Sequence, residues 1–524
     1  MSRITITGRG EPILINYTEE TSFLDAMIGQ GIYLSADCAG RGTCGKCKLQ
    51  LLEGELEITS FDRNKLTEQE LEQGYRLACK AYPKKDCIIR LVSGRETYFK
   101  IITEHRQESI GYGKADEDYA VAVDIGTTTI AASLVGLESK KIRLTDSAIN
   151  RQRAYGTDVV SRIKASNDGK RELLRISIQD DLLELIRRIL HEAEIPKNRL
   201  KRIVIAGNTT MGHLLLGYSC QGLGSYPFTP VNISTLTLPY EEVMGSDYLS
   251  IPVTILPGIS AYVGGDIVAG LLACDFDQAK NPCLLVDLGT NGEMAVGNKD
   301  RILVSSAAAG PAFEGGNISC GVGSIAGAIC DIEINKEGNR LQTIADQPPI
   351  GICGTGVVAL VFELLQSKLS DATGLLCEEY FEQGYPVAAD PQGREILFTQ
   401  KDMREFQMAK AAIRAGIETL VRCHGITFDE IDTVYLAGGF GYQMNLEKAF
   451  GVGLLPKELS GKIKAVGNSA LGGAVKYLAG ESASARVDHI LGVSGEISLS
   501  NETDFNDLYI KHMFFEEKAE EPSF

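Results

Sequence analysis

Residues 121–132 read VAVDIGTTTIAA, and residues 284–296 read LLVDLGTNGEMAV. Each is an apolar run ending in Asp, then x-Gly-Thr, a polar turn and a second apolar run. The pattern predicts a buried strand, a tight turn and a returning strand. The turn sets Asp124 or Asp287 beside a glycine-and-threonine loop: Gly126, Thr127 and Thr128 in one copy, Gly289, Thr290 and Asn291 in the other. Glycine lets a backbone approach a ligand closely, so such loops can offer N–H groups and hydroxyls to phosphate oxygens. The Asp can hold the Mg²⁺ that neutralises those phosphates, directly or through water. One Asp-x-Gly-Thr is usually a plain hairpin. Two copies, each opening half of one region, point to a duplicated nucleotide site.

The duplication continues downstream. Residues 203–210, IVIAGNTT, follow the first copy, and residues 434–441, VYLAGGFG, follow the second. Both are runs rich in β-branched residues that end in Ala-Gly and open into a turn. With these, the chain resembles the actin, sugar-kinase and heat-shock-chaperone ATPases. The resemblance implies two ribonuclease-H-like lobes clamping ATP, with Gly438, Gly439 and Gly441 as the floor under the adenosine. Glu293, just past the second turn, either orients the attacking water or lines the lobe surface. Asp266 in VGGD and Glu314 in PAFEGG fit helix N-caps better than metal contacts.

A length of 524 residues allows two to four domains with sizeable cores. The formal charge of −17 argues against a nucleic-acid partner. No apolar run reaches membrane length, and the first residues lack a signal peptide's apolar core. Thirteen cysteines without an export signal suit a reducing cytoplasm, as thiols or metal ligands.

Three of those cysteines, Cys38, Cys44 and Cys47, are spaced C-x5-C-x2-C in DCAGRGTCGKC, and Cys79 follows later in YRLACKAYP. Four thiolates at such spacing can hold a 2Fe–2S cluster. The first gap is one residue longer than the plant-type spacing and resembles the adrenodoxin-like branch. Gly40, Gly42 and Gly45 suit a loop that wraps a cluster. Zinc is the rival, but structural zinc usually pairs two C-x2-C knuckles, and Cys79 stands alone. Cys87 sits in a strand pattern and reads as an ordinary buried thiol, as do the cysteines farther on.

Around these motifs the pattern predicts a hairpin over residues 3–17, a short helix over 22–30, a capping box Thr67-x-x-Glu70 and a strand over 86–92. Residues 93–116 read as a polar linker with one strand over 98–103. Amphipathic helices are expected over 171–193 and 406–421, and shorter ones opening near 208, 265, 321 and 354. Residues 462–479 read as strand, turn and a helix of small residues on which two lobes could pack closely. His213 reads as structural. The expected division is a β-grasp 2Fe–2S ferredoxin-like domain over 1–94, a linker over 95–117, ATPase lobes over 118–250 and 251–510, and a frayed acidic tail over 511–524. The fold class is thus α/β and α+β, multidomain.

The order of motifs, four cysteines followed by DIGTTT, AGNTTM, DLGTNGE, GPAFEGG, ICGTG and LAGGFG, resembles the reductive activators of corrinoid-dependent methyltransferases. That resemblance implies ATP-dependent reduction of a Co(II) corrinoid to Co(I). It makes Cys38, Cys44, Cys47 and Cys79 the cluster ligands. Asp124, Thr127, Thr128, Asp287, Thr290, Asn291 and Gly439 become contacts for ATP and Mg²⁺. The implied partners are a corrinoid protein of a methyltransferase system and an upstream low-potential electron donor; a homodimer is allowed for. Two other readings stay open: a small-molecule kinase with an appended ferredoxin domain, and a redox-responsive ATPase switch that passes no electrons.

Overall fold

Alternation in the first residues places Ile4, Ile6 and Ile15 on one buried face and leaves Leu14 exposed. They lie in β1 (Ser2–Thr7) and β2 (Ile13–Tyr17), paired antiparallel with Ile4 opposite Ile15. The computed structural model describes residues 2–7, 12–17, 21–28, 32, 34, 40, 42, 45–91, 117–336, 338–438 and 444–516. Cys38, Cys44, Gly439, Gly441, the expected strand over 98–103 and the end of the acidic tail lie outside the described residues.

Three further strands, β3 (Lys48–Glu53), β4 (Tyr75–Leu77) and β5 (Cys87–Leu91), complete a mixed five-stranded sheet in the order β2-β1-β5-β3-β4. The helix Phe23–Ile28 covers it with Phe23, Leu24 and Met27. The Thr67–Glu70 capping box forms: Thr67 Oγ1 accepts from the Glu70 N–H at 3.2 Å, and Glu70 accepts from the Thr67 N–H at 2.9 Å. A second box, Thr59 with Asp62, starts the helix Ser60–Lys65, and Asp62 also takes the Leu77 N–H at 2.8 Å. Cys87 is a buried thiol, as expected. Among the described residues, the ion pair Lys170–Asp25 at 3.0 Å and a continuous cluster of buried apolar side chains join this domain to the first ATPase lobe.

The two duplicated hairpins are the centres of two matching sheets. In the first lobe β6 (Tyr119–Ile125), β7 (Thr129–Gly136) and β8 (Ile142–Ile149) form an antiparallel meander. The strands β9 (Leu200–Gly207), β10 (Leu236–Pro239) and β11 (Pro252–Ile255) extend it on the other side in the order β10-β11-β9-β6-β7-β8. This sheet therefore continues past residue 250, since Val253–Ile255 of β11 pair with Ile203–Ile205.

The second lobe repeats the plan with β12 (Cys283–Leu288), β13 (Gly292–Asn298) and β14 (Arg301–Ala307). An insertion follows that the sequence did not reveal: the small sheet of β15 (Ala328–Asn335), β16 (Gly338–Thr343) and β17 (Gly351–Ile352), then the hairpin of β18 (Tyr385–Ala389) and β19 (Glu395–Phe398). The chain returns through β20 (Thr433–Ala437), β21 (Ile463–Gly467) and β22 (Ser494–Glu496), giving the order β21-β20-β12-β13-β14-β22. In both lobes the central strand pairs antiparallel with the next strand and parallel with the Ala-Gly strand. Asp124 lies beside Ala206, and Asp287 beside Ala437.

The amphipathic readings hold. The helix Arg171–Glu192 buries Leu174, Ile178, Leu182, Leu185 and Ile189, and Gln400–His424 buries Phe406, Ala409, Ile413, Ile417 and Leu420. Residues 308–321 do not lead into a helix. They hold one 3₁₀ turn, Pro311–Glu314, closed by the left-handed Gly315. The end of the chain is not frayed through residue 516. Phe515 is buried and stacked on Phe406, and Lys410 donates to the Phe514 carbonyl at 2.9 Å.

Two helices exchange places at the centre of the ATPase region. Gly265–Ala273 follows the first sheet but packs Val268, Leu271 and Leu272 on Leu285, Ala295 and Val304 of the second. Ser469–Ala479 follows strands of the second sheet but packs Leu471, Ala474 and Val475 on Ala120, Ala122 and Val204 of the first. The helices touch backbone to backbone: a Cβ at Gly473 would stand 1.9 Å from the Ala269 carbonyl oxygen. Any side chain there would force them apart, so the small-residue reading of this helix has a steric basis. No helix among the described residues is long and apolar enough to cross a membrane.

Candidate functional site

The hydrogen-bond ladders carry Asp124 and Asp287 to the ends of matching strands, where the two lobes face each other. Each loop closes tightly: the Gly126 N–H donates to the Thr129 carbonyl at 2.9 Å, and the Gly289 N–H to the Asn291 carbonyl at 3.1 Å. The lobes are not identical here. The residue paired with Asp124 is Ala131, whereas the residue paired with Asp287 is Glu293. Glu293 is 8% exposed and lies within reach of Asp266 and Asp287, so it belongs to the cleft and not to the lobe surface.

The N-terminus of the helix Ser469–Ala479 meets both aspartates. Asn468 caps it, accepting the Leu471 N–H at 2.7 Å, and donates its amide to Asp124 Oδ2 at 2.7 Å. Ser469 Oγ lies 3.4 Å from Asp287 Oδ2. Gly438, at φ +92°, lies so close that a Cβ would stand 2.5 Å from the Leu288 carbonyl oxygen and 3.1 Å from Asp287 Oδ1. Asp266 is not an N-cap: Gly264 holds that place, and Asp266 sits in the helix's first turn among the other carboxyls. Glu314 is not a cap either. It accepts from Thr290 Oγ1 at 2.7 Å and Thr128 Oγ1 at 3.3 Å.

Behind the first loop lies a buried cation that the sequence did not signal. The Arg162 guanidinium is fully enclosed and donates to the Thr127 carbonyl at 2.5 Å, the Gly156 carbonyl at 2.8 Å and Gln152 Oε1 at 3.3 Å. Asn208 Nδ2 donates to Thr127 Oγ1 at 3.2 Å, and Asn150 Nδ2 to the Gly126 carbonyl at 2.9 Å. His213 is structural, as expected: Nε2 accepts the Val231 N–H at 2.9 Å, which leaves Nδ1–H to donate to the Thr209 carbonyl at 2.8 Å.

Crowding carboxyls out of water raises their pKa values. Burial pushes Asp124 and Asp287 up to about 7. It pushes Asp266 up to about 6 and Glu293 well above the usual range. Neighbouring charges add to the burial: Asp266 and Asp287 act on Asp124, and Asp266 and Glu314 act on Asp287. Opposing burial, the Asn468 amide stabilises the ionised Asp124. A set of carboxylates, hydroxyls and backbone N–H groups suits a hard divalent cation with phosphate oxygens. The residues therefore fit Mg²⁺ and a polyphosphate.

This clustering predicts a pH dependence. A carboxyl with a raised pKa binds a proton in the folded state that the unfolded state has already released. Stability is then full below about 4, the unfolded value, and falls as pH rises toward about 7. Asp287→Asn should raise the Tm of nucleotide-free protein at pH 8 and leave it near wild type at pH 4. Thermal melts of both proteins across that range check this; a constant Tm difference would contradict it.

At the other end of the molecule, Cys47 immediately precedes β3 and Cys79 follows β4. Lys48 pairs with Leu77, and the Ala78 N–H donates to the Cys47 carbonyl at 2.8 Å. The pairing brings both buried cysteines to one end of the sheet. Gly40, Gly42 and Gly45 all have left-handed φ, and a Cβ at Gly40 would lie 3.8 Å from Cys79 Cβ. Gly40 thus lies against Cys79 in a backbone conformation that glycine alone adopts without strain, which fits a thiolate-bound cluster.

Comparison with known proteins agrees with both halves. Residues 6–84 match the 2Fe-2S iron-sulfur cluster binding domain, residues 119–279 the RACo middle region, and residues 281–523 the C-terminal domain of RACo, the ASKHA domain. The corrinoid activation enzyme RamQ of Eubacterium limosum is 31% identical over 418 residues, which cover 76% of this chain and 70% of RamQ. The [Co(II) methylated amine-specific corrinoid protein] reductase of Methanosarcina barkeri is 27% identical over 433 residues, covering 75% and 76%. A solved structure of a reductive activator for corrinoid, iron-sulfur protein superposes with a TM-score of 0.70 at 28% identity over 98% of both chains. The chain therefore belongs to the RACo family of reductive activators, with a ferredoxin-type domain ahead of an actin-like ATPase fold.

Proposed function

We propose that this chain reactivates a corrinoid protein by one-electron reduction of Co(II) to Co(I), coupled to ATP hydrolysis. The observation that carries the reading is the acid-lined cleft between duplicated lobes, in the same chain as a ferredoxin-type domain. Relatives named for corrinoid activation and corrinoid-protein reduction supply the substrate class. When bound, a 2Fe–2S cluster supplies one electron at a potential near −400 mV in plant-type proteins. Each ~59 mV of uphill one-electron transfer costs ~1.4 kcal/mol, so a lower-potential acceptor needs help from ATP.

The chain's own residues divide the work. Cys38, Cys44, Cys47 and Cys79 hold the cluster through thiolates. Asp124 and Asp287 hold Mg²⁺, and the loops of Gly126, Thr127, Thr128, Gly289, Thr290 and Asn291 hold phosphate oxygens. Gly438, Gly439 and Gly441 form the floor beneath the adenosine. Glu293 orients the attacking water. The lobes grip the corrinoid protein, and ATP acts by changing which conformation of that partner is held, since a ligand shifts an equilibrium only through differential affinity. The test mixes dithionite-reduced protein with a Co(II) corrinoid protein. Co(I) absorbance should grow on adding Mg²⁺–ATP and stay low without it. Equal Co(I) in both samples would end the coupling claim.

A further inference from the structure

Thr128 and Thr290 lie in the two hairpin loops, one per lobe: Thr290 stands at the place of Thr127, and Thr128 is one residue further along its loop. In this structure both hydroxyls donate to a single atom, Oε2 of Glu314. Thr128 belongs to the first lobe, and Thr290 and Glu314 to the second, so one carboxylate oxygen spans the cleft. The other oxygen, Oε1, lies 3.9 Å from the place of a Cβ on Gly289, against the backbone of the second loop. Burial pushes the Glu314 carboxyl above its usual range, while the Thr290 and Thr128 hydroxyls and, less strongly, the Arg162 guanidinium behind the first loop favour its ionised form.

A carboxylate and a phosphate are both anionic acceptors of the same hydroxyl and N–H donors. Asp124, Asp266 and Asp287 already crowd this cleft and repel another negative group. Glu314 is held there by the two hydroxyls, which belong to the loops that the proposed function gives to the nucleotide phosphates. We propose that Glu314 is an internal stand-in for a nucleotide phosphate. It draws the two loops together in the nucleotide-free protein and must leave when a polyphosphate enters. Glu314 is then a specificity-determining residue. Only a ligand whose own phosphates replace its two bonds can open them without loss, so adenosine alone gains nothing from displacing it. This rests on the nucleotide-binding reading above.

The turn that carries Glu314 is built for such an exchange. Phe313 anchors it, 2% exposed and edge-on to Phe406 at 6.1 Å between ring centroids. After Glu314 the backbone is clamped: Gly315 has φ +76°, and a Cβ there would stand 2.3 Å from the Val322 carbonyl oxygen. Before the turn Gly310 has φ +75° with open space beside it. The side chain can therefore swing out of the cleft while Phe313 stays in the core.

Calorimetric titration of the full-length protein with ATP and with adenosine, both with Mg²⁺, tests this. Removing the competitor in Glu314→Ala should tighten ATP binding about tenfold, as for one charge-assisted hydrogen-bond pair released without cost, and leave adenosine binding unchanged. Glu314→Gln keeps the size and loses the charge, and should tighten ATP binding in the same direction; it is read alone if the alanine variant fails to fold. ATP binding that is unchanged or weaker in both variants would overturn the proposal and make Glu314 a structural brace or a metal ligand. Wild-type protein that binds no ATP at all would instead overturn the nucleotide reading on which the proposal stands.

Discussion

Replacing Asp287 with alanine is expected to lower Mg²⁺-dependent ATP turnover about a thousandfold while leaving the protein folded. The first half follows from position. Asp287 ends the central strand of the second lobe, beside Gly438 and Ser469 and opposite Glu293. A carboxylate that holds the metal on transferring phosphates contributes several kcal/mol of transition-state stabilisation, and ~4 kcal/mol is about a thousandfold in rate. The second half follows from electrostatics. Without nucleotide, Asp287 is repelled by Asp266 and Glu314, and burial already disfavours its charge. Its removal relieves that repulsion and leaves only a small void, so the folded state loses little. Steady-state phosphate release and a thermal melt on the same sample measure the two halves. Turnover within threefold of wild type would take Asp287 out of the site, and collapse of the melt would show that it supports the fold instead.

The parts of this site that were legible in the sequence are those set by local pattern. A strand, a glycine turn and a return strand are encoded within a dozen residues, so Asp124 and Asp287 could be named, and the duplication made the reading specific. The small-residue helix Ser469–Ala479 was legible because close packing excludes large side chains at the contact itself. What stayed hidden depends on contacts between residues far apart in the chain. Asn468 meets Asp124 across 344 positions, and Glu314 meets Thr128 across 186. Neither has a local signature, because an Asn cap and a Glu in a glycine turn look alike whether or not they face a cleft. Asp266 was misassigned for the same reason. Arg162 gave no signal because a buried arginine is recognisable only by the carbonyls that enclose it. The inserted strands after β14 went unread because short polar strands such as β16 carry little apolar alternation.

The second large effect separates the two halves of the molecule. Cys79→Ala in the full-length chain should abolish Co(I) formation under any ATP concentration, yet keep most of the ATP turnover. Asp124→Ala should lose ATP turnover and keep the iron–sulfur centre. Its iron–sulfur centre should still be reducible by dithionite, but ATP should add nothing to Co(I) formation. The argument is geometric. Cys79 lies in a 3₁₀ turn at one end of the ferredoxin-type sheet, with Cys47 beside it. Asp124 lies in the cleft, tied to Asn468 at the head of the helix between the lobes. Among the described residues, the ion pair Lys170–Asp25 bridges the domains with both partners partly exposed, and such pairs are worth about 0–1 kcal/mol. Cys79 and Asp124 sit at separate sheets, each with its own strand ladder, so neither side chain is a direct support of the other's site. Each variant should therefore lose one function and keep the other. Iron content, phosphate release and the Co(II) and Co(I) absorbance bands, read on both variants under one donor, decide the matter. If Cys79→Ala lost ATP turnover as completely as Asp124→Ala, the cluster domain would be part of the ATPase itself. Electron delivery and nucleotide turnover would then be one step, and the division of labour proposed above would be wrong.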